Sequence, residues 1–439
     1  MHPAERIYRT ARTGLLAARV YASYKIPRVA DRICGVDPKA RDYSSVHERN
    51  AWMIYNNAIA LRGLMIKLAQ VIGTRSDVFP PEYIKVLSQC HDAVPPRSWT
   101  EIAPVLESEL GRTADQIFDD FERKPIASAS LAQVHRARLK SGEQVAVKIQ
   151  YPDIDDIVRT DLANTSRICA IYEHFDPQPM ELMPLLQEMQ KYLALELDFR
   201  REVESGERVA ALFKEDSAVR VPRVYHELST GRVITMEFLS GIKPTDKAAL
   251  EAAGIDPLDV VQELMRVYVT MILARGFFQA DPHPGNIFVN PHRTSSGRIM
   301  PHFVLLDFGL SKELPDGFGY ALFNLMFALM TANEGAMVRA FNELGFKTRN
   351  GDPSTLLKIA RAMNRRAVGG EFRGEFTKEM TDDLFDTVRQ NPVVKVPSDF
   401  VLVGRAFSLL SGIAHTLGGE ANVLNAMAPG SADTGRRAG

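Results

Sequence analysis

The stretch from Leu131 to Gln150 constrains the fold most: two alternating, β-branched runs, LAQVHRARL and QVAVKIQ, are joined by the turn segment KSGE. Period-two alternation across a short glycine-containing turn predicts an antiparallel hairpin. The hairpin carries Lys148 in its second strand and is entered through PIASASLAQVH, Pro125 to His135.

In that entry segment Ala127, Ala129, Ala132 and Val134 have the spacing A-x-A-x-x-A-x-V. It overlays the phosphate-covering loop G-x-G-x-x-G-x-V of kinases, with each glycine replaced by alanine. Ser128 and Ser130 fill the alternate places, and Val145-Ala146-Val147-Lys148 matches the V-A-I-K strand. A lysine there supplies a fixed positive charge for the α and β phosphates of a nucleotide. Alone, Lys148 reads as a solvated strand-edge lysine; the order and spacing of the pair favour the phosphate role.

Such a lysine needs a helix glutamate to hold it. The segment ALELDFRREVESGE offers Glu196, Asp198 and Glu202 on one helical pattern, with Glu202 the first choice and Glu196 the second. Further on, FFQADPHPGNIFV places Asp281 and Asn286 at the D-x-x-x-x-N spacing of a kinase catalytic loop, where Asp handles the acceptor and Asn a metal ion. Pro282, Pro284 and Gly285 turn that loop. In VLLDFGL, Asp307 ends an apolar strand, where a carboxylate can bridge Mg²⁺ to phosphates. A lone DFG is weak; four elements in kinase order are strong. Glu237, at the end of the strand Arg232 to Phe238, is grouped with the nucleotide-contacting residues.

At 439 residues, 45% hydrophobic, 24% charged and net charge −1, the chain has the composition of a globular protein with more than one core. No nucleic-acid-binding footprint is present. Cys34, Cys90 and Cys169 are too few and too scattered for a disulfide framework or a CxxC zinc pair, which favours reduced thiols in a cytosolic setting. The N-terminus lacks a secretory signal pattern. The best apolar run, Phe400 to Gly418, is interrupted by Arg405 and His415 and reads as a buried helix. Between Arg6 and Arg32, Arg9, Arg12, Arg19, Lys25 and Arg28 alternate with Leu15, Leu16, Val20, Tyr21 and Ile26. Two readings stay open: a basic amphipathic helix on an anionic membrane, or a helix docked on the body with a solvated basic face.

Helical patterns are expected from Tyr55 to about Leu87 with a break at Pro80-Pro81, from Trp99 to Leu110, from Asp155 to Glu173 and from Leu182 to Phe213. Strands are expected at Val219 to Val224 and Arg232 to Phe238. Beyond Pro244 the pattern is helical except for Ile287 to Val289 and Phe303 to Leu306. The fold class is α+β, a bilobal protein-kinase-like fold with a small N-lobe sheet, a helical C-lobe and an N-terminal helical extension. The expected division is 1–110 for the extension with its KxxQ motif, 111–240 for the N-lobe, 241–425 for the C-lobe and 426–439 for a disordered tail.

With these motifs in view, the chain from about Gly63 to Leu417 resembles the UbiB/AarF family of atypical protein-kinase-like proteins. RGLMIKLAQVIGTRSDVFPPEYIKVLSQCHDAVPP resembles the family's K-x-G-Q extension, with Lys67 and Gln70 in the key places. PIASASLAQVH resembles its alanine-rich loop, LELD its E-x-D motif and DPHPGN its catalytic loop. The resemblance implies that the extension helix folds over the kinase cleft and that Lys67 meets Glu196 or Asp198. Ala69 departs from the usual glycine, a small change that the contact is expected to survive. Many relatives carry an extra transmembrane segment and none is found here, so any membrane role is expected to be peripheral.

The resemblance further implies ATP or ADP and Mg²⁺ as cofactors, with Asp281, Lys148 and Glu202 catalytic, Asn286 and Asp307 on the metal, and Lys67, Gln70, Glu196 and Asp198 as the regulatory extension set. The activity expected is slow ATP hydrolysis or phosphorylation of a small molecule, supporting isoprenoid quinone (ubiquinone-like) biosynthesis or lipid handling. Gln279-Ala280 stand where H-R-D has its His-Arg pair and no A-P-E segment follows Asp307, so control by activation-loop phosphorylation is not expected. A non-catalytic nucleotide-gated scaffold is the alternative. A lipid-binding chaperone is the third class, with Phe79, Tyr83 and Ile84 as its surface or, more simply, as core. The partners expected are a nucleotide, an isoprenoid or lipid-like small molecule, quinone-biosynthesis proteins and a peripheral membrane contact, with a cytoplasmic location at the inner membrane face.

Overall fold

The structure, a computed structural model, describes residues 1–37, 41–74, 79–91, 94–175, 183, 186, 190, 193, 196–367 and 391–419. Leu182, Leu195 and the expected tail 426–439 lie outside the described residues. The chain forms two compact units, Met1–Val203 with Arg223–Phe238, and Glu204–Pro222 with Leu239–Gly439. Their elements give the α+β class expected.

In the first unit four strands order as β1 (Phe118–Phe121), β3 (Ala132–Leu139), β4 (Gln144–Gln150) and the strand Val233–Glu237, with β2 (Ala127–Ser128) added to β3, all antiparallel. Pleating sends alternate side chains of β4 to opposite faces. Val145, Val147 and Ile149 pack with Ile102, Val105 and Leu106 of the helix Trp99–Leu110. Ala132 of β3 and Ile234 turn the other way, onto Phe199 and Val203 of the helix Phe199–Leu212. The sheet is thus covered on both faces, and Lys148 belongs to the second.

Helices precede the sheet: α1 (Pro3–Ile33), α2 (Ser44–Leu61), α3 (Leu64–Thr74) and α4 (Pro81–Leu87). The helical run expected from Tyr55 is cut at Arg62 and Gly63, whose φ values of 58° and 56° end α2. Pro81 opens α4, where its missing N–H is harmless. Gly73 lets α3 approach α4, since a Cβ there would lie 2.7 Å from the backbone nitrogen of Ser88. Tyr83 is buried among these helices with Phe79 against it, which is core packing rather than a lipid surface. The N-terminal helix docks on the body: Arg9 is buried and pairs with Asp161 of the helix Ile154–Phe175.

The second long run differs from expectation. Asp198 interrupts it, accepting from the backbone N–H of Arg200, and a new helix starts at Phe199. Glu196 and Glu202 therefore do not share one continuous helix. The cause is local: an Asp side chain competes for backbone N–H groups and favours a helix start over a helix interior.

The second unit holds more strand than the periodicity shows. Ile287–Arg293 and Ile299–Leu305 form a full hairpin, joined in parallel by Val219–Arg220, and Phe277–Gln279 pairs with Ser311–Glu313. Short strands of two or three residues leave too little alternation to detect. Around them lie Pro257–Val269, which continues into a π-turn at Thr270–Arg275, and the helices Phe318–Met330, Glu334–Leu344, Ser354–Ala367 and Ser398–Leu417. Among the described residues Ser398–Leu417 is the one helix long and apolar enough to cross a membrane, by length and composition alone. Leu402, Ala406, Leu410 and Ile413 on it are buried within the unit.

Candidate active site

The first unit fixes the nucleotide-side lysine. Lys148 lies between Val134 of β3 and Ile234 of the last strand in register, so its Cα position is held from both sides. Its Nζ donates to both carboxylate oxygens of Glu202, at 2.6 and 2.8 Å, and stands 5.1 Å from the Phe199 ring centroid. Lys148 is 9% exposed and Glu202 5%. Of the two acids weighed for this lysine, Glu202 is the one in contact. Glu196 meets Lys67 instead, Nζ to Oε1 at 2.6 Å. Asp198 is used by the Arg200 backbone, and Gln70 donates from Nε2 to the Cys90 carbonyl at 3.0 Å, tying α3 to the segment after α4. Ala69 is fully buried in that helical cluster.

The alanine-rich segment is a tight hairpin. Ala127 and Ser128 pair with Val134 and Gln133, and the Ala129 N–H donates to the Ala132 carbonyl at 2.8 Å. Ala127 and Ala129 are exposed, Ser130 and Ala132 buried, and Val134 half-buried. The Ser128 hydroxyl meets the Tyr151 hydroxyl at 2.7 Å, and Tyr151 in turn lies under the Arg97 guanidinium. Burial pushes the Tyr151 hydroxyl pKa up. Glu237 closes the sheet edge opposite Val145, its N–H donating to the Arg223 carbonyl at 2.8 Å.

The second unit assembles the two acids and the amide. Its hairpin register sets Ile287 against Leu305, and the Leu306 N–H donates to the Asn286 carbonyl at 3.0 Å, so Asn286 and Asp307 leave the same end of the hairpin. Asp281 turns back through its own carbonyl, which accepts from the His283 N–H at 2.8 Å and from Asn286 Nδ2 at 3.4 Å. His283 Nδ1 accepts from the Gly285 N–H at 3.2 Å and so serves the turn. The Asp307 carboxylate accepts from the Gly309 N–H at 3.0 Å. Asn286 and Asp307 offer an amide and a carboxylate oxygen. That donor set suits Mg²⁺, which takes one or two protein ligands beside phosphate oxygens and waters. Among the described residues no group of three His, Cys, Asp or Glu forms a metal cage, which Mg²⁺ of this type does not need.

Sequence reasoning missed three supports. Arg405, from the helix Ser398–Leu417, donates from Nη2 to the Asp281 carboxylate at 3.0 Å, while its buried Nε has no hydrogen-bond partner. The only signal was a lone arginine in an apolar run. Gln279 donates to the Asp307 carbonyl and accepts from the Tyr268 hydroxyl, which links the strand before Asp281 to the segment of Asp307. Gly206 faces Phe308 with no room for a side chain, since a Cβ would lie 2.9 Å from the ring. A glycine four residues after Glu202 on a helical pattern was its only sequence signal.

Residues 89–341 match the family described as the ABC1 atypical kinase-like domain. The chain is 32% identical to an uncharacterized protein of Synechocystis over 87% of this chain and 64% of that one. It is likewise 32% identical to AarF domain-containing protein kinase 1 of Xenopus laevis, over 85% of this chain and 72% of the relative. The chain therefore spans about two thirds of the length of these curated relatives. A solved structure from Mycobacterium tuberculosis, Rv3197 in complex with erythromycin, has the same fold with a TM-score of 0.58 at 23% identity, covering 89% of this chain and 98% of that one.

Proposed function

Because the chain belongs to the ABC1 atypical kinase-like family, the UbiB/AarF group, we propose that it transfers the γ-phosphoryl group of ATP to water or a small molecule, with Mg²⁺ required. The observation that carries this reading is the doubly held, buried Lys148–Glu202 pair, the geometry that fixes a phosphate-binding lysine in kinases. Lys148 would neutralise the α and β phosphates. Asn286 and Asp307 would hold Mg²⁺, which when bound offsets charge on the β and γ oxygens. Asp281 would accept a hydrogen bond from the acceptor hydroxyl or water and take its proton as the acceptor oxygen attacks phosphorus in line. The bond from phosphorus to the β–γ bridging oxygen breaks and ADP leaves. Arg405 would steady the Asp281 carboxylate in that task.

The preference for water or a small molecule over a protein acceptor follows from the Lys67–Glu196 pair of the extension, together with the missing His-Arg pair and A-P-E segment. The assignment to isoprenoid quinone biosynthesis or lipid handling, with an isoprenoid or lipid-like ligand and quinone-biosynthesis proteins as partners, rests on the family resemblance alone, and a cytoplasmic location on the few, scattered cysteines. One observation favours a second reading, a nucleotide-gated scaffold: the Asp281 carboxylate is already engaged by Arg405.

The test follows γ-labelled ATP with purified protein and Mg²⁺, with Asp307→Asn as the blank. Label in free phosphate or in a small-molecule extract, absent from the blank, is the expected result. Label that stays in ATP while nucleotide binding is measurable replaces the enzyme with the scaffold.

A further inference from the structure

Helix α1 is docked through a series of polar contacts. Arg9 donates from Nη1 to the Leu61 carbonyl at 2.6 Å and pairs with Asp161, Arg12 donates to Asn57 at 2.7 Å, and Ser23 accepts from Asn50 at 2.8 Å. Tyr24 reaches His47 and Tyr83 by its hydroxyl. Leu16, Val20 and Tyr21 are half-buried, but a second set of apolar residues stays outward: Ile7 is 70% exposed, Leu15 54%, Ile26 67%, Val29 45% and Ile33 81%. With the exposed Ala11 and Ala18 they recur at steps of three and four, or a multiple of these, one stripe along the outer face of the helix. A docked helix ordinarily turns its apolar stripe inward. This one carries a second apolar stripe outward.

The charges beside the stripe say what it meets. At 3.6 residues per turn Arg19 lies on one flank, and Lys25, Arg28 and Arg32 on the other; Arg19, Arg28 and Arg32 are exposed. Of the two acids on α1, Asp31 is buried and held by Arg41, which leaves Glu5 near the start. The chain as a whole has a net charge of −1, so this positive face is local. An apolar strip edged by cations matches an anionic bilayer surface, where the aliphatic residues enter the headgroup boundary and the cations stay at phosphate level. A second copy of the chain would bring the same cations against themselves.

We propose that the outer face of α1 seats this protein on anionic membranes, with Ile26, Val29 and Ile33 as apolar anchors and Arg19, Arg28 and Arg32 as headgroup contacts. The experiment is flotation of the full chain with phosphatidylcholine vesicles, with and without phosphatidylglycerol, at low and high salt. Binding is expected to the anionic vesicles and to weaken with salt. Ile26→Asp and Val29→Asp each remove an exposed anchor without touching the docked side, and each is expected to lower partitioning more than about tenfold with unchanged thermal unfolding. Arg32→Glu is expected to lower it more than about fivefold.

Failure to float on anionic vesicles overturns the proposal, as does flotation that Ile26→Asp and Val29→Asp leave unchanged. Equal binding to neutral vesicles, insensitive to Arg32→Glu, overturns the anionic part. If sedimentation velocity instead shows a dimer that Ile26→Asp dissociates, with no vesicle binding, the face is an interface between copies. No readout depends on phosphoryl transfer, so the outcome stands apart from that of the proposed activity.

Discussion

Removing Lys148 tests the physical premise of the site before any chemistry is measured. In Lys148→Met the Glu202 carboxylate, 5% exposed, loses both of its 2.6 and 2.8 Å contacts with the ammonium. Solvent reaches neither partner well enough to compensate, and breaking one side of such a buried pair costs about 3–5 kcal/mol. The lost stacking of the ammonium on Phe199 adds ~0.5–2 kcal/mol. Lys148→Met with Glu202→Leu removes both charges and keeps apolar volume against Phe199 and Val203, so it should cost less than about 1 kcal/mol or stabilise. The assay is urea unfolding followed by tryptophan fluorescence. Both tryptophans, Trp52 and Trp99, lie in the first unit, so the signal reports that unit. Transfer activity should vanish in the single and the double variant alike, which separates the lysine's chemical role from its structural cost. A Lys148→Met protein as stable as the parent, or a double variant no better than the single, would refute the buried-pair reasoning.

Two further outcomes are expected. Arg405→Ala should lower kcat about 10–100-fold with little change in the KM for ATP, because a catalytic carboxylate is displaced while the phosphate contacts stay. Arg405→Lys should restore part of it, and a rise in kcat in either variant would mean that Arg405 restrains Asp281. His135 gives a pH signature: burial depresses its pKa below the ordinary 6.5 and outweighs the Glu122 carbonyl, whose hydrogen bond with Nδ1 acts the other way. The folded state therefore prefers the neutral ring, the unfolded state binds more protons, and stability present above pH 6.5 is lost as pH falls below it towards the folded value. Urea midpoints of the first unit at descending pH check this, with His135→Gln expected to flatten the fall.

Much of this was legible in the chain because the signals were local. The hairpin around Lys148 follows from alternation and a turn, and Glu202 from the helical pattern of ALELDFRREVESGE, although that pattern runs on where the chain breaks. What stayed hidden was non-local or too brief. Arg405 lies 124 positions from Asp281, and no periodicity links them. The break at Asp198 looked like a continuing helix because a single aspartate changes a long pattern very little. Arg62, with a φ of 58°, carries the turn between α2 and α3 although arginine gives no turn signal. The strands around Gln279 and Ser311 are three residues long and take their shape from pairing with each other.

The alanines where a kinase loop has glycines now have a physical account. Glycine is needed where the backbone enters the left-handed region or another atom must come close. The positive φ values among the described residues do not include any position from Pro125 to Val134, so this hairpin is built from conformations that alanine adopts without strain. Ala132 fills the cluster with Phe199, and Ser130 is buried. Alanine at such sites loses less conformational entropy on folding than glycine, by roughly 0.5–1 kcal/mol per residue. The segment is consequently a stiff, paired hairpin with the Ala127 and Ala129 methyl groups outward, anchored by the Ser128–Tyr151 hydroxyl contact. On the proposed function, nucleotide contact is then made with a preformed surface instead of a loop that closes, a cause on which a slow transferase or hydrolase can rest.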